Sequence, residues 1–203
     1  MRLVCTAWAV GEGGGIVCKK QIHELESRDL RYCGIQKSGF ESAITKNIDS
    51  KKMWWEYEIV KPFIKMLPTN IAASIGLAQL ERRTELQLKR KEVWDLYQAE
   101  FKDLKFIETP NPDVEFPYSH SYFTYVVKAS QRDSLAKYLL NNGIYTTLRY
   151  QPLDNYSHFK QDEKNRLENS EKLSRTSLSL PLHPRLLNSE VEKVISCVKN
   201  FYK

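Results

Sequence analysis

Between Pro68 and Leu104 the chain carries a helical period that is too long for one ordinary helix. Thr69 or Asn70 can cap its start, because a side-chain oxygen there accepts from the free N–H groups of the first turn. Ile71, Ile75 and Ala78 fall on one face. The stripe resumes after Arg82 at Leu86, Val93, Tyr97, Phe101 and Leu104. Helices of globular proteins average three to four turns, so the pattern predicts a break or bend between Arg82 and Thr84. A stripe of this kind also needs strands or further helices to bury it.

The residues that follow supply them. Phe106 to Thr109 reads as a strand ended by Pro110 and Pro112, and Tyr122 to Ala129 is the clearest strand of the chain. Ser130 is the expected cap of the next helix, with Asp133 as its capping-box acid and Gly143 as a left-handed stop. Tyr145 to Tyr150 reads as a strand ended by Pro152, Asp154 to Asn169 as a polar loop, and Glu171 to Leu178 as a short helix. Asn188 is placed to cap the last helix, with Val191, Ile195, Val198 and Phe201 or Tyr202 as its buried stripe. Strands alternating with helices predict an α/β or α+β domain from about residue 105 onward. Upstream of the long pattern, Gly15 to Cys18 is a short apolar run expected as a buried strand. Ile22 to Ile35 reads as a short helix, Ser38 to Lys52 as a surface loop and Met53 to Val60 as a strand.

Composition narrows the class. Apolar residues make up 41% of the 203 and charged residues 28%, as in a soluble globular protein. No apolar run approaches the ~20 residues of a membrane span. Leu3 to Val10 is broken by Thr6 and is followed by no small-residue cleavage site, so no signal peptide is expected. The net charge is +6, but Arg82, Arg83, Lys89, Arg90 and Lys91 are interleaved with Glu81, Glu85 and Glu92. Mixed signs at this spacing predict a solvated helix face and no nucleic-acid partner. Cys5, Cys18, Cys33 and Cys197 form no C-x-x-C pair, and the four histidines show no H-x-x-x-H spacing. No metal site is expected, and scattered free thiols suit a reducing cytoplasm.

Four glycines crowd the stretch from Gly11 to Gly15. A phosphate-cradling P-loop needs G-x-x-x-x-G-K-[ST], which is absent. The dinucleotide fingerprint begins at Gly11 and Gly13 but meets Ile16 where its last glycine belongs, and it opens a strand where a helix is needed. A tight turn feeding a strand remains. Three later stretches, Ile75 to Leu80, Thr147 to Leu153 and Ser177 to Pro184, each have an ordinary reading. They are a helix face with a small glycine contact, a strand running into a proline, and a helix end with a turn.

Their order resembles the pyridoxal-phosphate-dependent nucleotide-sugar aminotransferases of the DegT/StrS type. That family places a G-[DE]-G-G turn before a strand, here Gly11 to Gly14. An arginine-bearing helix ending near a glycine follows, here Leu30 to Ile35. Then come a segment close to A-A-I-G-L-A-Q-L, here Ala72 to Leu80, a [HR]-Y-x-P-L strand end, here Arg149 to Leu153, and an S-L-P-L-H-P turn, here Ser179 to Pro184. The resemblance covers nearly the whole chain after residue 10. It implies the carboxy-terminal part of a type I pyridoxal-phosphate-dependent transferase. Residues 1–80 would be a remnant of the large cofactor domain, 81–105 a linking long helix, and 106–203 a small carboxy-terminal α+β domain.

What the resemblance implies about chemistry is mixed. The family's reaction needs a lysine that forms a Schiff base with the cofactor aldehyde and then moves a proton, while the pyridine ring serves as electron sink. That lysine lies five residues before the first glycine of the turn, a position held here by Thr6, whose hydroxyl cannot form an imine. The family's earlier segments, which bring the stacking side chain and the acidic partner of the pyridine nitrogen, have no counterpart. The chain is therefore expected to be the carboxy-terminal piece of a longer aminotransferase, from a truncated, frameshifted or split gene, and inactive alone. An asparagine that reaches a partner subunit's cofactor phosphate in the family is matched by Leu67, with Lys65 two residues earlier. Lys65 is either a phosphate contact or a solvated loop lysine. Arg149 and Tyr150 match positions near the substrate. Arginine there pairs with a donor carboxylate or a sugar-nucleotide phosphate, or is an ordinary surface arginine. His183, between Pro181 and Pro184, is read as structural.

The expected substrates are an amino acid, glutamate, and a keto-sugar nucleotide. The expected partner is a second copy or a complementing amino-terminal half, with no membrane. A second reading is a non-catalytic assembly subunit, whose Trp54, Trp55 and Ile71 to Leu80 face would be left uncovered.

Overall fold

The computed structural model describes residues 2–4, 13–35, 55–111, 119–159 and 167–203. The chain forms two compact units, Met1–Glu81 and Arg82–Lys203.

In the first unit, strand β1 (Arg2–Val4) pairs antiparallel with β2 (Gly15–Val17), matching Leu3 to Ile16. The expected strand at Gly15 thus forms, but it is not buried, since all three β2 residues are exposed. Helix α1 (Gln21–Leu30) is held on its surface by an Arg28–Glu24 ion pair of 2.8 Å one turn apart. It ends where Cys33 and Gly34 take positive φ, 62° and 78°. Residues 31–35 are stitched to residues 59–66. Tyr32 bridges Lys65 and Ile35 bridges Ile59, the Val60 N–H donates to the Gly34 carbonyl, and the Met66 N–H donates to the Arg31 carbonyl. Trp55 to Val60 is no strand beyond that single Ile59 bridge, because it meets only a five-residue turn and not a sheet. Met53, Trp54 and the Ser38 to Lys52 loop lie outside the described residues.

Helix α2 (Asn70–Glu81) starts as its spacing predicts, with Thr69 Oγ1 accepting the Ala72 N–H at 3.1 Å. Its apolar face has no cover within the described residues, and Ile71 is 75% exposed. The long pattern breaks at Arg82, inside the expected window, and helix α3 (Arg83–Phe101) follows.

The second unit is built on α3. Leu86, Val93, Tyr97 and Phe101 are buried as the stripe requires, joined by Trp94 and by Arg90. Arg90 departs from the expected solvated face, and its burial lowers the guanidinium pKa. The remaining charges do form surface pairs. Glu85 lies between Arg82 at 3.2 Å and Lys89 at 2.9 Å, which hold its carboxyl down at about 2, and Lys91 meets Asp95 at 2.6 Å.

The sheet has the order β3-β4-β5, antiparallel throughout, from Ile107–Glu108, Tyr125–Ala129 and Ser177–Leu180. Tyr125, Val127 and Ala129 of the central strand alternate inward. They meet Leu135 and Leu139 of α4 (Arg132–Asn141) and Val191, Val194 and Val198 of α6 (Asn188–Phe201). Tyr125 lies edge-on to Trp94 at 4.8 Å and tilted on Tyr97 at 5.0 Å. This is an α+β unit.

Several expectations are corrected here. β4 begins at Tyr125 and not Tyr122, because Tyr122 has a positive φ of 47° and its N–H turns to His120 Nδ1. Ser130 does not cap α4. Gln131 precedes the helix at φ 55° without a side-chain cap, while the Ser130 N–H goes to the Phe106 carbonyl. Gly143, at φ 73°, is the left-handed stop predicted. Tyr145 to Tyr150 is not a strand. Only Thr147 pairs, exchanging both backbone hydrogen bonds with Ser179. Leu153–Asn155 and Ser157–Phe159 form short 3₁₀ turns, the first beginning one residue before the loop expected from Asp154. Helix α5 spans Glu168–Thr176, so Ser177 and Leu178, expected at a helix end, open β5 instead. Leu187, not Asn188, holds the position before α6, and Glu190 Oε2 accepts its backbone N–H at 2.8 Å. Val194 takes the buried place expected for Ile195, which is half-buried.

Candidate functional site

Thr6, Gly11 and Glu12 lie outside the described residues. Gly13 to Gly15 are exposed, and a Cβ on Gly14 or Gly15 would meet nothing within 4 Å. Their small size is therefore not required by packing among the described residues.

Lys65 belongs to the first unit. Its backbone is fixed by the bridge to Tyr32, and its ammonium lies 5.8 Å from the centre of the Tyr32 ring. Residues 55–70 are exposed throughout. Gly34 explains why the two segments approach so closely, since a Cβ there would come within 1.9 Å of the Lys61 carbonyl oxygen. The cationic end of Lys65 is thus presented from a tightly held backbone onto open surface.

Arg149 and Tyr150 belong to the second unit, and the structure brings them together. Arg149 Nη1 donates to the Tyr150 hydroxyl at 3.5 Å. The guanidinium carbon also lies 5.5 Å from the centre of the Phe123 ring. Sequence reasoning missed Phe123. It stands in a different segment, and no periodicity or spacing connects it to Arg149. Downstream, a small polar pocket between the first 3₁₀ turn and α5 is lined by Asn155, Glu171, Ser174 and Arg175. His183 is built into its turn, with Nδ1 accepting the Arg185 N–H at 3.0 Å.

An arginine placed over an aromatic ring beside a phenol can receive an oxyanion, because it gives one N–H to the phenol and keeps others to donate. The exposed Lys65 can meet a phosphate as a point charge. No helix among the described residues is long and apolar enough to cross a membrane.

These elements define a mixed helix-and-sheet protein with exposed cationic groups, and its relatives give the class. Residues 6–199 match the DegT/DnrJ/EryC1/StrS aminotransferase family, and the chain belongs to that family. It is 31% identical over 186 residues to a dTDP-4-dehydro-2,3,6-trideoxy-D-glucose 4-aminotransferase of Saccharopolyspora spinosa, covering 91% of this chain and 46% of the relative. Among solved structures it is similar to the aminotransferase TlmJ of Streptoalloteichus hindustanus, at 28% identity and a TM-score of 0.79, covering 96% of this chain and 48% of the other. A protein of Streptococcus pneumoniae assigned as a sugar aminotransferase, in its PMP form, matches at 25% identity and a TM-score of 0.79, covering 96% and 50%. The chain therefore carries part of the type I aminotransferase fold, and it spans about half the length of these relatives.

Proposed function

We propose that this chain is the carboxy-terminal portion of a cytoplasmic, pyridoxal-phosphate-dependent nucleotide-sugar aminotransferase. The whole enzyme would move an amino group from glutamate to a keto-sugar nucleotide in making a surface polysaccharide or similar glycan. The observation that carries the reading is continuity. The family match runs from residue 6 to residue 199, while the chain spans only about half of each relative. Residues 1–80 would be the remnant of the large domain, 81–105 the link and 106–203 the small domain. Lys65 would face the cofactor phosphate, and Arg149 and Tyr150 the substrate.

Alone, the residues present do not fit the cofactor. Thr6 stands where the family's imine-forming lysine belongs, and a hydroxyl cannot replace an amine in that role. Among the described residues the surface around Lys65 is open and encloses no ring. No catalytic step is assigned to this chain by itself.

The test is glutamate-dependent amination of a nucleotide keto-sugar by the purified chain, alone and mixed with the amino-terminal half of an intact relative. Turnover only in the mixture supports the reading. Turnover by the chain alone, or a lysine of the chain covalently labelled by pyridoxal phosphate and borohydride, refutes its inactivity.

A second reading has one observation in its favour. Trp55, Ile71, Ile75, Leu77 and Leu80 are all exposed in the first unit, as on a subunit that docks elsewhere. A non-catalytic assembly subunit would bind an intact relative, seen by light scattering, without raising its turnover.

A further inference from the structure

We propose that Phe123 is a positioning residue, holding the Arg149 guanidinium so that Arg149 and the Tyr150 hydroxyl together receive an oxyanion of the substrate. The proposal rests on the reading of Arg149 and Tyr150 as substrate-facing residues.

Both sides of the contact are anchored. Phe123 follows Tyr122, whose N–H is held by His120 Nδ1 at 3.0 Å, and precedes Tyr125, which is fully buried. Arg149 follows Thr147, whose N–H and carbonyl are both bonded to Ser179 of β5, at 3.2 and 2.8 Å. β4 and β5 are neighbours, with Tyr125 opposite Leu180. The sheet thereby fixes the two backbones from which Phe123 and Arg149 project.

Packing does not account for Phe123. It is 47% exposed and stands outside the unit's core. The observed use of its ring is the guanidinium 5.5 Å from its centre. Nothing else in the described residues orients Arg149 firmly. No carboxylate there pairs with it, and the Tyr150 hydroxyl is 3.5 Å away, at the outer limit of a hydrogen bond. A long, rotamer-rich side chain loses less freedom on binding when its plane is set beforehand. The guanidinium gives one N–H to the Tyr150 hydroxyl and so keeps donors for two hydrogen bonds to a carboxylate or a phosphate. Tyr150, 75% exposed, adds a third donor beside them.

The test uses the full chain labelled with ¹⁵N, with the Arg149 side-chain resonance assigned through Arg149→Lys. Ring current from Phe123 should shift that resonance upfield in the parent and in Phe123→Tyr, and the shift should vanish in Phe123→Leu. Uridine diphosphate and L-glutamate are then titrated at fixed ionic strength. Binding by Phe123→Leu should weaken about two- to fivefold, the scale of an exposed cation–π contact, and Phe123→Tyr should bind as the parent does. Equal thermal midpoints show that folding is unaltered. A response to the diphosphate alone makes the nucleotide the source of the oxyanion, and a response to glutamate alone makes it the amino donor. Either result, or both together, supports the proposal. An unshifted parent resonance, no response to either probe, or equal binding by Phe123→Leu overturns it. The two readings fail separately, because mixed-half turnover tests the enzyme while the resonance and titration test the platform.

Discussion

The Tyr97 hydroxyl donates to the Pro181 carbonyl at 2.9 Å, tying α3 to the residue just after β5, 84 positions away. Tyr97 is fully buried while Pro181 is half-buried, so water can partly replace the phenol at that carbonyl. Tyr97→Phe should destabilise the second unit by about 0.5–1.5 kcal/mol, the net worth of an ordinary hydrogen bond. Leu139→Ala, which opens a cavity in the same core, should cost about 2–5 kcal/mol. Urea denaturation followed by circular dichroism checks both, and an unchanged midpoint for Tyr97→Phe would mean the bond contributes nothing net.

The same cluster predicts alkaline sensitivity. Burial raises the pKa of Tyr97, and burial together with the Tyr97 charge raises that of Tyr125. Both phenols stay neutral in the folded unit at a pH where unfolded tyrosine ionises, so their stabilisation is complete below about pH 10 and is lost as pH rises above it. Tyrosinate absorbance should therefore show two phenols that ionise only on unfolding. A smooth titration of every tyrosine near pH 10, with the fold retained, contradicts this.

His120 predicts the acid limb. Its ring lies 4.6 Å from Trp94, its Nδ1 accepts from the Tyr122 N–H, and burial lowers its pKa. The neutral imidazole is the form that fits. Its contribution is present above about pH 6.5 and is lost as pH falls through the lowered folded value. The imidazole resonances of the parent should place that value below 6.5. His120→Gln should flatten stability between about pH 5 and 7 relative to the parent, and identical pH profiles would dismiss the role.

Gly34 is a prediction about the first unit. At φ 78°, with the Lys61 carbonyl oxygen 1.9 Å from where a Cβ would sit, Gly34→Ala must move the backbone of residues 59–66. The left-handed conformation alone costs about 1–2 kcal/mol for a residue with a Cβ. Hydrogen exchange of the Val60 and Met66 amides, which close this contact, should accelerate in the variant, and unaltered protection refutes the account.

The uncovered face of α2 makes a solution prediction. Replacing Ile71 and Ile75 with lysine should lower the scattering of the chain at high concentration and leave its helix content unchanged. If scattering is the same in parent and variant, this face is not what associates.

What the sequence revealed followed the physics of each element. The stripe Leu86, Val93, Tyr97 and Phe101 was legible because burial on one side of a helix imposes its period, and Gly143 because few residues tolerate its backbone. β5 was not legible. Four residues of alternating serine and leucine carry little strand signal, and Ser179 is buried by its place between two pairing partners, not by its chemistry. The Tyr145 to Tyr150 run was misleading for the converse reason, having strand-like residues with a single pairing position. Ile71, Ile75 and Ala78 have the spacing of a core face and lie in solvent, since period reports which residues share a face and not whether anything covers it. Of the candidate site, motif order singled out Arg149 and Tyr150 as neighbours in the chain. The Phe123 contact was not legible, because it is made by the fold.

Gly34 is the only buried residue among those described in the first unit, whereas the second encloses an aromatic and aliphatic core drawn from three helices and its sheet. Limited proteolysis should accordingly erode the chain from its first 81 residues and leave a resistant product beginning near Arg82. That product would keep Phe123, Arg149 and Tyr150 and discard Lys65. On the proposed roles, substrate recognition and cofactor contact would sit on parts of unequal autonomy, and degradation would silence one while sparing the other.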